Sequence, residues 1–331
     1  ALLVGINYSD SHVAHAQLKG CANDAWNLHS VLRRTLQFSE DQIRLLVDGE
    51  HGAPTQAARA PTLANLLSGL QWLVSGAQPG DSLIFLFCGY GAQHPRGPGS
   101  EEHEAYLVPS DFAADVPEEF FRPMQQDSST PTSPSVSHVP SPVTSGTGHG
   151  GAGCTGYRLV SLLEVNRLLA QLPARSGLTM VLDCSYPAMP GLSPAQSSSF
   201  PRVVRGRMDY RKARDYVTRP RFLELPPFPT PHTPEHFRTP VAPECLVHCF
   251  SACRLEEWAC ELPLEGTVQG TFTWAFAKAL AAGHYKRSAN QLQEALQRIT
   301  GDLKQHFKGV CQSPLLLLSR AASGDGPALC P

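Results

Sequence analysis

Leu83-Ile84-Phe85-Leu86-Phe87-Cys88-Gly89-Tyr90-Gly91-Ala92-Gln93 is the stretch of sequence that determines the predicted fold. Its first six residues are apolar without a break, which predicts a strand buried on both faces at the centre of a parallel α/β sheet. The glycines at 89 and 91 let the backbone turn where the strand ends, so that Tyr90 is presented beyond its carboxyl end. Ligands of open α/β sheets bind at that edge. The stretch therefore predicts where the functional site lies.

Strand-like and helical patterns alternate outward from this stretch. Strand-like stretches are found at residues 1–6, 42–47, 178–182 and 246–252, and helices are predicted at 23–36, 61–74, 159–172, 270–282 and 290–307. This alternation predicts an α/β fold with a central, mainly parallel sheet and helices on both faces. A cap at Asn23 or Asp24 is expected to start the first helix.

Composition sets limits on the kind of protein. The chain has 331 residues, a net charge of −2 and 10 scattered cysteines, which favours a soluble globular protein with free thiols. Such a charge favours neither a nucleic acid nor a membrane as partner. Because the chain opens without methionine inside a predicted strand, we expect that an upstream segment precedes it.

Two stretches interrupt the pattern. Residues 112–156 are rich in serine, threonine, proline and glycine, and residues 190–244 are first basic and then crowded with proline. Both compositions predict disordered insertions, because they offer little apolar surface to bury. The basic run from Arg202 to Arg221 is interpreted as a solvated loop, with an acidic partner or a cleavage site for basic-specific peptidases as alternatives.

Three groups of chemically interesting residues follow predicted strands. They are Asn7-Tyr8, Cys88-Gly89-Tyr90 and Asp183-Cys184-Ser185. Parallel strands bring their carboxyl ends to one edge, so these groups are expected to converge. A hydrolase built here would need a nucleophile and a histidine base within hydrogen-bonding reach of each other. The serine is present, but the histidine is not.

Six motifs, taken together and in order, carry a family resemblance. They are Ala1-Leu2-Leu3-Val4-Gly5-Ile6-Asn7-Tyr8, Leu18-Lys19-Gly20-Cys21-Ala22-Asn23-Asp24, Gln78-Pro79-Gly80-Asp81-Ser82-Leu83, Asp183-Cys184-Ser185, Ser251-Ala252-Cys253-Arg254 and Gly270-Thr271-Phe272-Thr273-Trp274-Ala275-Phe276. The chain thereby resembles the type I metacaspases, caspase-like cysteine peptidases of the C14 family. The resemblance implies one caspase-like domain over residues 1–331 with six principal strands. Within it, 1–189 would be large-subunit-like, 190–244 a linker and 245–331 small-subunit-like.

The resemblance also implies that both catalytic positions are substituted. Tyr90 stands where the family has its histidine, and Ser185 stands where it has its cysteine. Tyrosine, with an ordinary pKa of about 10, is a poor base near neutral pH. A serine without a base is a far weaker nucleophile than a thiolate. Cys184 and His94 are alternative reactive groups, but Cys184 is expected on the opposite face of the chain.

The resemblance further assigns a binding pocket for the basic side chain that precedes the scissile bond. Its acidic residues correspond to Asp24 and Asp183, with Cys21 and Cys88 as neighbours. A carboxylate pair suits an arginine or lysine guest. The alternative interpretation is that Asp24 caps a helix and Asp183 accepts backbone hydrogen bonds in a turn. The two interpretations are compatible.

Metal sites are not expected. The family's calcium ligands would fall in residues 99–104 and 188–191, where only glutamates remain in the first stretch and no carboxylate in the second. Cys245, Cys249 and Cys253 with His248 lack the usual zinc spacing. We therefore expect no cofactor.

The leading hypothesis is a catalytically inactive metacaspase-like protein, a pseudopeptidase that binds or regulates. Its expected partner is a peptide or protein with a basic residue, an active metacaspase included. The chain is expected to be monomeric and cytoplasmic. One alternative is a residual cysteine- or serine-type endopeptidase that cleaves after arginine or lysine. Another is a scaffold that recruits partners through its insertions.

Overall fold

The structure is a computed structural model that describes residues 1–13, 16–49, 57–95, 103–116, 156–187, 189–195, 219–225 and 239–329. The strands are β1 (Leu2–Gly5), β2 (Arg44–Val47), β3 (Ser82–Cys88), β4 (Gly91–Pro95), β5 (His103–Leu107), β6 (Val160–Ser161), β7 (Gly177–Asp183), β8 (Ser193–Pro194), β9 (Arg219–Pro220), β10 (Leu246–Ser251), β11 (Cys260–Leu264), β12 (Thr267–Gly270) and β13 (Leu315–Leu318). The α-helices are α1 (Cys21–Arg34), α2 (Leu63–Val74), α3 (Leu162–Leu169), α4 (Thr271–Ala282) and α5 (Ala289–His306).

The central sheet has the strand order β2-β1-β3-β7-β10-β13-β8. Strands β2, β1, β3, β7 and β10 run parallel, whereas β13 pairs antiparallel with β10. The apolar run of the opening stretch is β3, which lies in the middle and is buried along nearly its whole length. The prediction of a mainly parallel α/β sheet is confirmed.

Helices cover both faces of this sheet. Leu2 and Gly5 of β1 point to opposite faces, since side chains alternate along a strand. Leu2 contacts Gly69 of α2, and Gly5 lies against Cys21 and Ala25 of α1. Helix α3 packs against α2, whereas α4 packs against α1 and α5. The sheet is thus the middle layer of the fold.

Two small antiparallel sheets flank the edge that the sequence singles out. One is the hairpin β4-β5 extended by β6, and the other has the order β12-β11-β9. Neither the strand β4 nor the hairpin β11-β12 is predicted from the sequence. The strand β11 is hard to predict because it contains Pro263, and proline argues against the interior of a strand. Among the described residues, β9 pairs with Cys260 and Glu261 but not with Pro263.

Several expectations need correction. The central sheet has seven strands instead of six, because the two-residue β8 pairs with β13 and is too short to leave a sequence pattern. Helix α1 begins at Cys21, and the Asn7 side chain accepts hydrogen bonds from the Cys21 and Ala22 N–H groups. Neither Asn23 nor Asp24 therefore caps it.

The predicted disordered linker at 190–244 contains an ordered segment. Residues 219–225 include β9, and the three residues at the centre of this segment, Arg221, Phe222 and Leu223, are buried, with Arg221 fully inaccessible to solvent. Residues 196–218 and 226–238, like 117–155 of the first insertion, lie outside the described part of the chain. The division into large- and small-subunit-like parts stays a prediction. None of the described helices combines the length and the apolar character that a membrane span requires.

Candidate functional site

The three predicted groups meet at the carboxyl edge of β1, β3 and β7. These strands are neighbours, and their last residues are in register: Gly5 pairs with Cys88, and Cys88 pairs with Asp183. The segments that follow each strand therefore start side by side. The topology that the sequence predicts brings Tyr8, Tyr90 and Ser185 to one end of the sheet.

Tyr90 is held in a buried aromatic cluster. Its ring lies 4.7 Å from the ring of Tyr8, and its N–H donates to the Tyr8 hydroxyl at 2.8 Å. The Tyr8 hydroxyl in turn donates to the carbonyl of Val108 at 2.7 Å. Burial raises the pKa of Tyr90 above its ordinary value. A phenol in this environment stays protonated at neutral pH.

Ser185 is buried, and its hydroxyl serves the backbone. The Oγ atom accepts a hydrogen bond from the Ala259 N–H at 3.1 Å. No histidine is hydrogen-bonded to this hydroxyl within the described residues. Cys184, the alternative nucleophile, is buried in the main hydrophobic core, and burial raises the pKa of its thiol. Neither group has the environment of an activated nucleophile.

His94, the alternative base, belongs to β4, but its side chain lies outside what the structure describes.

The four residues of the acidic pocket (Cys21, Asp24, Cys88 and Asp183) are brought together and are all buried. Ligand atoms of Asp24, Cys88 and Asp183 lie within 4.8 Å of one another. The pocket contains a cation supplied by the chain itself. The guanidinium of Arg221 is 2.6 Å from Asp24 Oδ2 and 2.9 Å from Asp183 Oδ2.

Glu261 is a third carboxylate beside the acidic pocket. Its Oε2 atom lies 3.8 Å from Arg221 Nη2. It also accepts hydrogen bonds from the N–H groups of Lys19 and Gly20, just before α1. Glu261 thus joins the start of α1, the strand β11 and the guanidinium of Arg221.

Each pocket carboxylate also binds backbone. Asp24 accepts hydrogen bonds from the Gly270 N–H at 3.0 Å, and Asp183 accepts from the N–H and the hydroxyl of Thr273. The capping interpretation of Asp24 is wrong, because its partners are Gly270 and Arg221. Asp183 accepts a backbone hydrogen bond, as expected, and it also forms an ion pair with Arg221. In the described residues, Asp183 Oδ1 and Arg221 Nε have no hydrogen-bond partner.

The electrostatics of the cluster follow from burial. Burial raises the pKa of Asp24 to about 7, although Arg221 and the Gly270 N–H act to lower it. Burial would lower the pKa of Arg221, but Asp183, Cys21 and Asp24 together hold it well above its ordinary value. The pocket therefore favours a permanently charged guanidinium. Burial also raises the pKa of the Cys21 and Cys88 thiols, which are neutral at physiological pH.

The backbone of Arg221 is held as tightly as its side chain. Its carbonyl accepts hydrogen bonds from the N–H groups of Ser185 at 3.0 Å and Gly91 at 3.2 Å. Its own N–H donates to the Ala259 carbonyl at 2.6 Å. Two convergent N–H groups on one carbonyl oxygen are the arrangement that stabilises oxyanions in acyl-transfer enzymes.

Residue 91, whose N–H donates to the Arg221 carbonyl, must be a glycine. A Cβ atom at residue 91 would collide with the carbonyl oxygen of Ser185. The glycine therefore lets the chain after Tyr90 approach the chain at Ser185. The turn predicted from Gly89-Tyr90-Gly91 is what positions the Gly91 N–H.

The calcium stretches fall largely outside this site. Residues 99–102 and 188 lie outside the described chain. Glu104 is buried on β5 and accepts a hydrogen bond from the Ser161 hydroxyl. The suggested zinc residues are engaged separately, since His248 Nε2 bonds to the Ser323 carbonyl and Cys249 Sγ lies near Ser251 Oγ.

Arg221 and Glu261 are the site residues that the sequence analysis misses. Arg221 is separated from Asp24 by 197 positions and sits in a run that looks like a solvated basic loop. One signal was available. The run is followed directly by Phe222-Leu223-Glu224-Leu225, and three large apolar residues in four are not typical of a solvated loop.

Part of the chain is similar to a known protein family. Residues 1–117 match the family model described as the metacaspase, peptidase C14 domain. The match includes Asp24, Cys88 and Tyr90. Asp183 and Ser185 lie beyond its end.

Metacaspases are also found among similar curated proteins. The chain is 39% identical over 114 residues to Metacaspase-1A of Aspergillus fumigatus, covering 34% of this chain and 26% of that protein. It is 39% identical over 119 residues to Metacaspase-1 of Saccharomyces cerevisiae, covering 35% and 26% respectively. The match thus spans about a quarter of the length of these relatives.

A solved structure is similar over nearly the whole chain. The crystal structure of protein GSU0716 from Geobacter sulfurreducens superposes with a TM-score of 0.54, covering 96% of this chain and 92% of that one. The sequence identity is 14%, so the likeness concerns the fold alone.

Proposed function

We propose that this chain is a catalytically inactive metacaspase-like protein, a pseudopeptidase that acts by binding. The observation that carries the proposal is the position of Arg221. Its guanidinium pairs with Asp24 and Asp183, and its carbonyl accepts two backbone N–H groups at Ser185 and Gly91. A peptide is therefore held as an acyl-transfer enzyme holds its substrate, but the neighbouring side chains are unsuited to cleave it.

The replaced side chains support inactivity. The peptidase reaction needs a base that takes a proton and a nucleophile that attacks the carbonyl carbon. Tyr90 is a buried phenol whose pKa is raised by burial, and the Ser185 hydroxyl accepts from a backbone amide. The binding parts of the site are thus present without its chemical parts.

The acidic pocket supports a function in recognition. Arginine offers a planar, permanently charged fork that suits two carboxylates. The partners of such a protein are proteins with an arginine or lysine in an extended segment, an active metacaspase among them. No cofactor enters this proposal, since the guanidinium lies where the carboxylates converge.

A turnover assay tests the proposal. Purified chain and the variant Arg221→Ala are incubated with calcium and a fluorogenic peptide that has arginine before the scissile bond. Neither protein should release product, because opening the pocket does not supply a base or a thiolate. The triple variant Tyr90→His, Ser185→Cys, Arg221→Ala is the positive control and should show turnover.

Two outcomes would contradict inactivity. Turnover that is lost with Ser185→Ala but kept with Cys184→Ala would identify a serine-dependent hydrolase. Rapid labelling of Cys184 by a cysteine-reactive peptide probe at neutral pH would identify an activated thiolate. Cys311, which is partly exposed and has a pKa raised by burial to about 11, is the reference thiol for the labelling rate.

A further inference from the structure

Residues 219–225, here called the resident segment, are bound to the rest of the chain as an extended peptide. Arg219 and Pro220 pair antiparallel with Glu261 and Cys260 of β11. The backbone of Arg221 makes three hydrogen bonds, and the Leu223 N–H donates to the Gly91 carbonyl at 3.1 Å. Strand addition of this kind gives affinity through the backbone and specificity through side-chain pockets.

The resident segment is also anchored on the carboxyl side of Arg221. Phe222, the residue after the arginine, is buried, and its ring lies 6.5 Å from that of Trp258. Leu223 belongs to the main hydrophobic core, and Leu225 packs against it. The site therefore contacts an arginine and the apolar residues that follow it.

The contacts described for the resident segment are non-covalent, and they join it to residues that are distant from it in sequence, such as Asp24 and Asp183. Its sequence is separated by 23 residues from the preceding described segment, which ends at Ala195, and by 13 residues from the following one, which begins at Thr239. A separate peptide with the same sequence would offer the same guanidinium, backbone groups and apolar side chains. What it lacks is the covalent connection to the chain, which makes binding of the resident segment intramolecular and so favours it over a free peptide.

Resting on the proposed function, we propose that this groove is a docking site for an extended peptide of a partner protein. The peptide carries arginine followed by a large aromatic and an aliphatic residue, and the resident segment is the internal ligand that it displaces. Recognition thus extends to the carboxyl side of the arginine, where Trp258 and the main hydrophobic core receive the apolar residues.

Peptide binding to an opened groove tests this proposal. The probe is fluorescein-labelled Arg-Pro-Arg-Phe-Leu-Glu-Leu, which copies residues 219–225. The unmodified chain should show no binding at micromolar concentrations, because the tethered ligand competes. The variant Arg221→Ala should bind the probe at least about tenfold more tightly than the unmodified chain, since its resident segment no longer fills the acidic pocket.

Two altered probes separate the contributions of the arginine and of the phenylalanine to binding. Alanine in place of the second arginine should abolish binding to Arg221→Ala. Alanine in place of the phenylalanine should weaken it by about tenfold, since one well-packed aromatic side chain is lost. Equal binding of the phenylalanine and alanine probes would overturn recognition beyond the arginine.

A second variant protects the test against a failure to fold. Phe222→Ala combined with Leu223→Ala keeps the ion pairs and removes the apolar anchors, so it should also gain probe binding. The original probe should raise the melting temperature of Arg221→Ala, and the probe without the second arginine should not. Folded variants that do not bind, or an unmodified chain that binds equally well, would overturn the proposal.

The probe also separates this proposal from the proposed function. Cleavage of the bound probe by Arg221→Ala, detected by mass spectrometry, would contradict inactivity while leaving the docking site in place. Absence of binding would remove the docking site while leaving inactivity in place. A dimer formed through exchange of resident segments would appear in light scattering and would replace the external partner with a second copy.

Discussion

A single side chain, Arg221, links the parts of the site. Its guanidinium lies among Asp24, Asp183 and, more distantly, Glu261, and it has no access to solvent. If all three carboxylates were ionised, their negative charge would exceed the positive charge of the single guanidinium. The raised pKa of Asp24, about 7, is the physical response to burial in this cluster.

Replacing Arg221 with methionine is expected to destabilise the fold, and more so above pH 7. Removal of the guanidinium takes away an influence that lowers the Asp24 pKa, so that pKa rises above about 7. A carboxyl with a raised folded pKa holds a proton that the unfolded chain releases, so stability falls as pH rises towards that pKa. In the unmodified chain, stability stops falling near pH 7, the pKa of Asp24. In the variant, stability continues to fall above pH 7, up to the higher pKa that Asp24 has there.

Denaturant unfolding at pH 6 and pH 8 measures this effect. We expect Arg221→Met to lose about 3 kcal/mol at pH 8, the lower end for breaking a buried ion pair, because water re-enters the pocket. The loss at pH 6 should be smaller. Arg219→Met is the control, since Arg219 is exposed and donates to the Gln17 carbonyl; it should stay within about 0.5 kcal/mol. A loss that is equal at both pH values would contradict the account.

At the scale of elements, the hairpin β11-β12 and the start of α4 close the site. Gly270 ends β12 and donates its N–H to Asp24, and Thr273 in the first turn of α4 bonds Asp183. Ala259, just before β11, accepts from the Arg221 N–H, and Glu261, the second residue of β11, lies near the Arg221 guanidinium. These elements come from the last third of the chain, whereas Asp24 comes from the first helix.

Gly270→Ala tests the closeness of this packing. A Cβ atom at residue 270 would collide with Asp183 Oδ2, Arg221 Nη1 and Thr273 Oγ1. We expect a loss of about 1–3 kcal/mol in the free energy of unfolding, the range for overpacking a filled interior.

The same substitution elsewhere should have the opposite sign. Gly301 lies inside α5, and a Cβ atom there meets no other group within 4 Å. Gly301→Ala should therefore stabilise by about 0.5–1 kcal/mol, the helix preference of alanine over glycine. Thermal or urea unfolding of both variants gives the comparison, and a neutral Gly270→Ala would show that the closing elements yield easily.

At the scale of the whole molecule, the sequence predicts the frame of the site better than its contents. Uninterrupted apolar runs identify β1, β3 and β7, and parallel topology then places Tyr90, Asp183 and Ser185 at one edge. Asp24 is found through the family motif. These predictions depend on local pattern and on the few topologies that it permits.

The contents depend on contacts between distant parts of the chain, which leave no local pattern. Arg221 looks like a solvated arginine because its buried state follows from Asp24 and Asp183, neither of which is near it in sequence. Glu261 is hidden by Pro263, which argues against a strand. The Asn7 side chain caps α1 from the preceding loop, where a local cap at Asn23 or Asp24 was the simpler prediction.

The most direct test of the central claim places histidine at residue 90 and cysteine at residue 185. In Tyr90→His with Ser185→Cys, a thiolate and a base would stand at the edge where the Arg221 carbonyl already bonds the N–H groups of residues 91 and 185. Intact-mass measurement should then show hydrolysis of one peptide bond, between Arg221 and Phe222. The unmodified chain and the triple variant with Arg221→Ala should remain whole. A folded double variant that remains whole, or cleavage of the unmodified chain at this bond, would contradict the claim that Arg221 occupies a binding site whose chemistry has been lost.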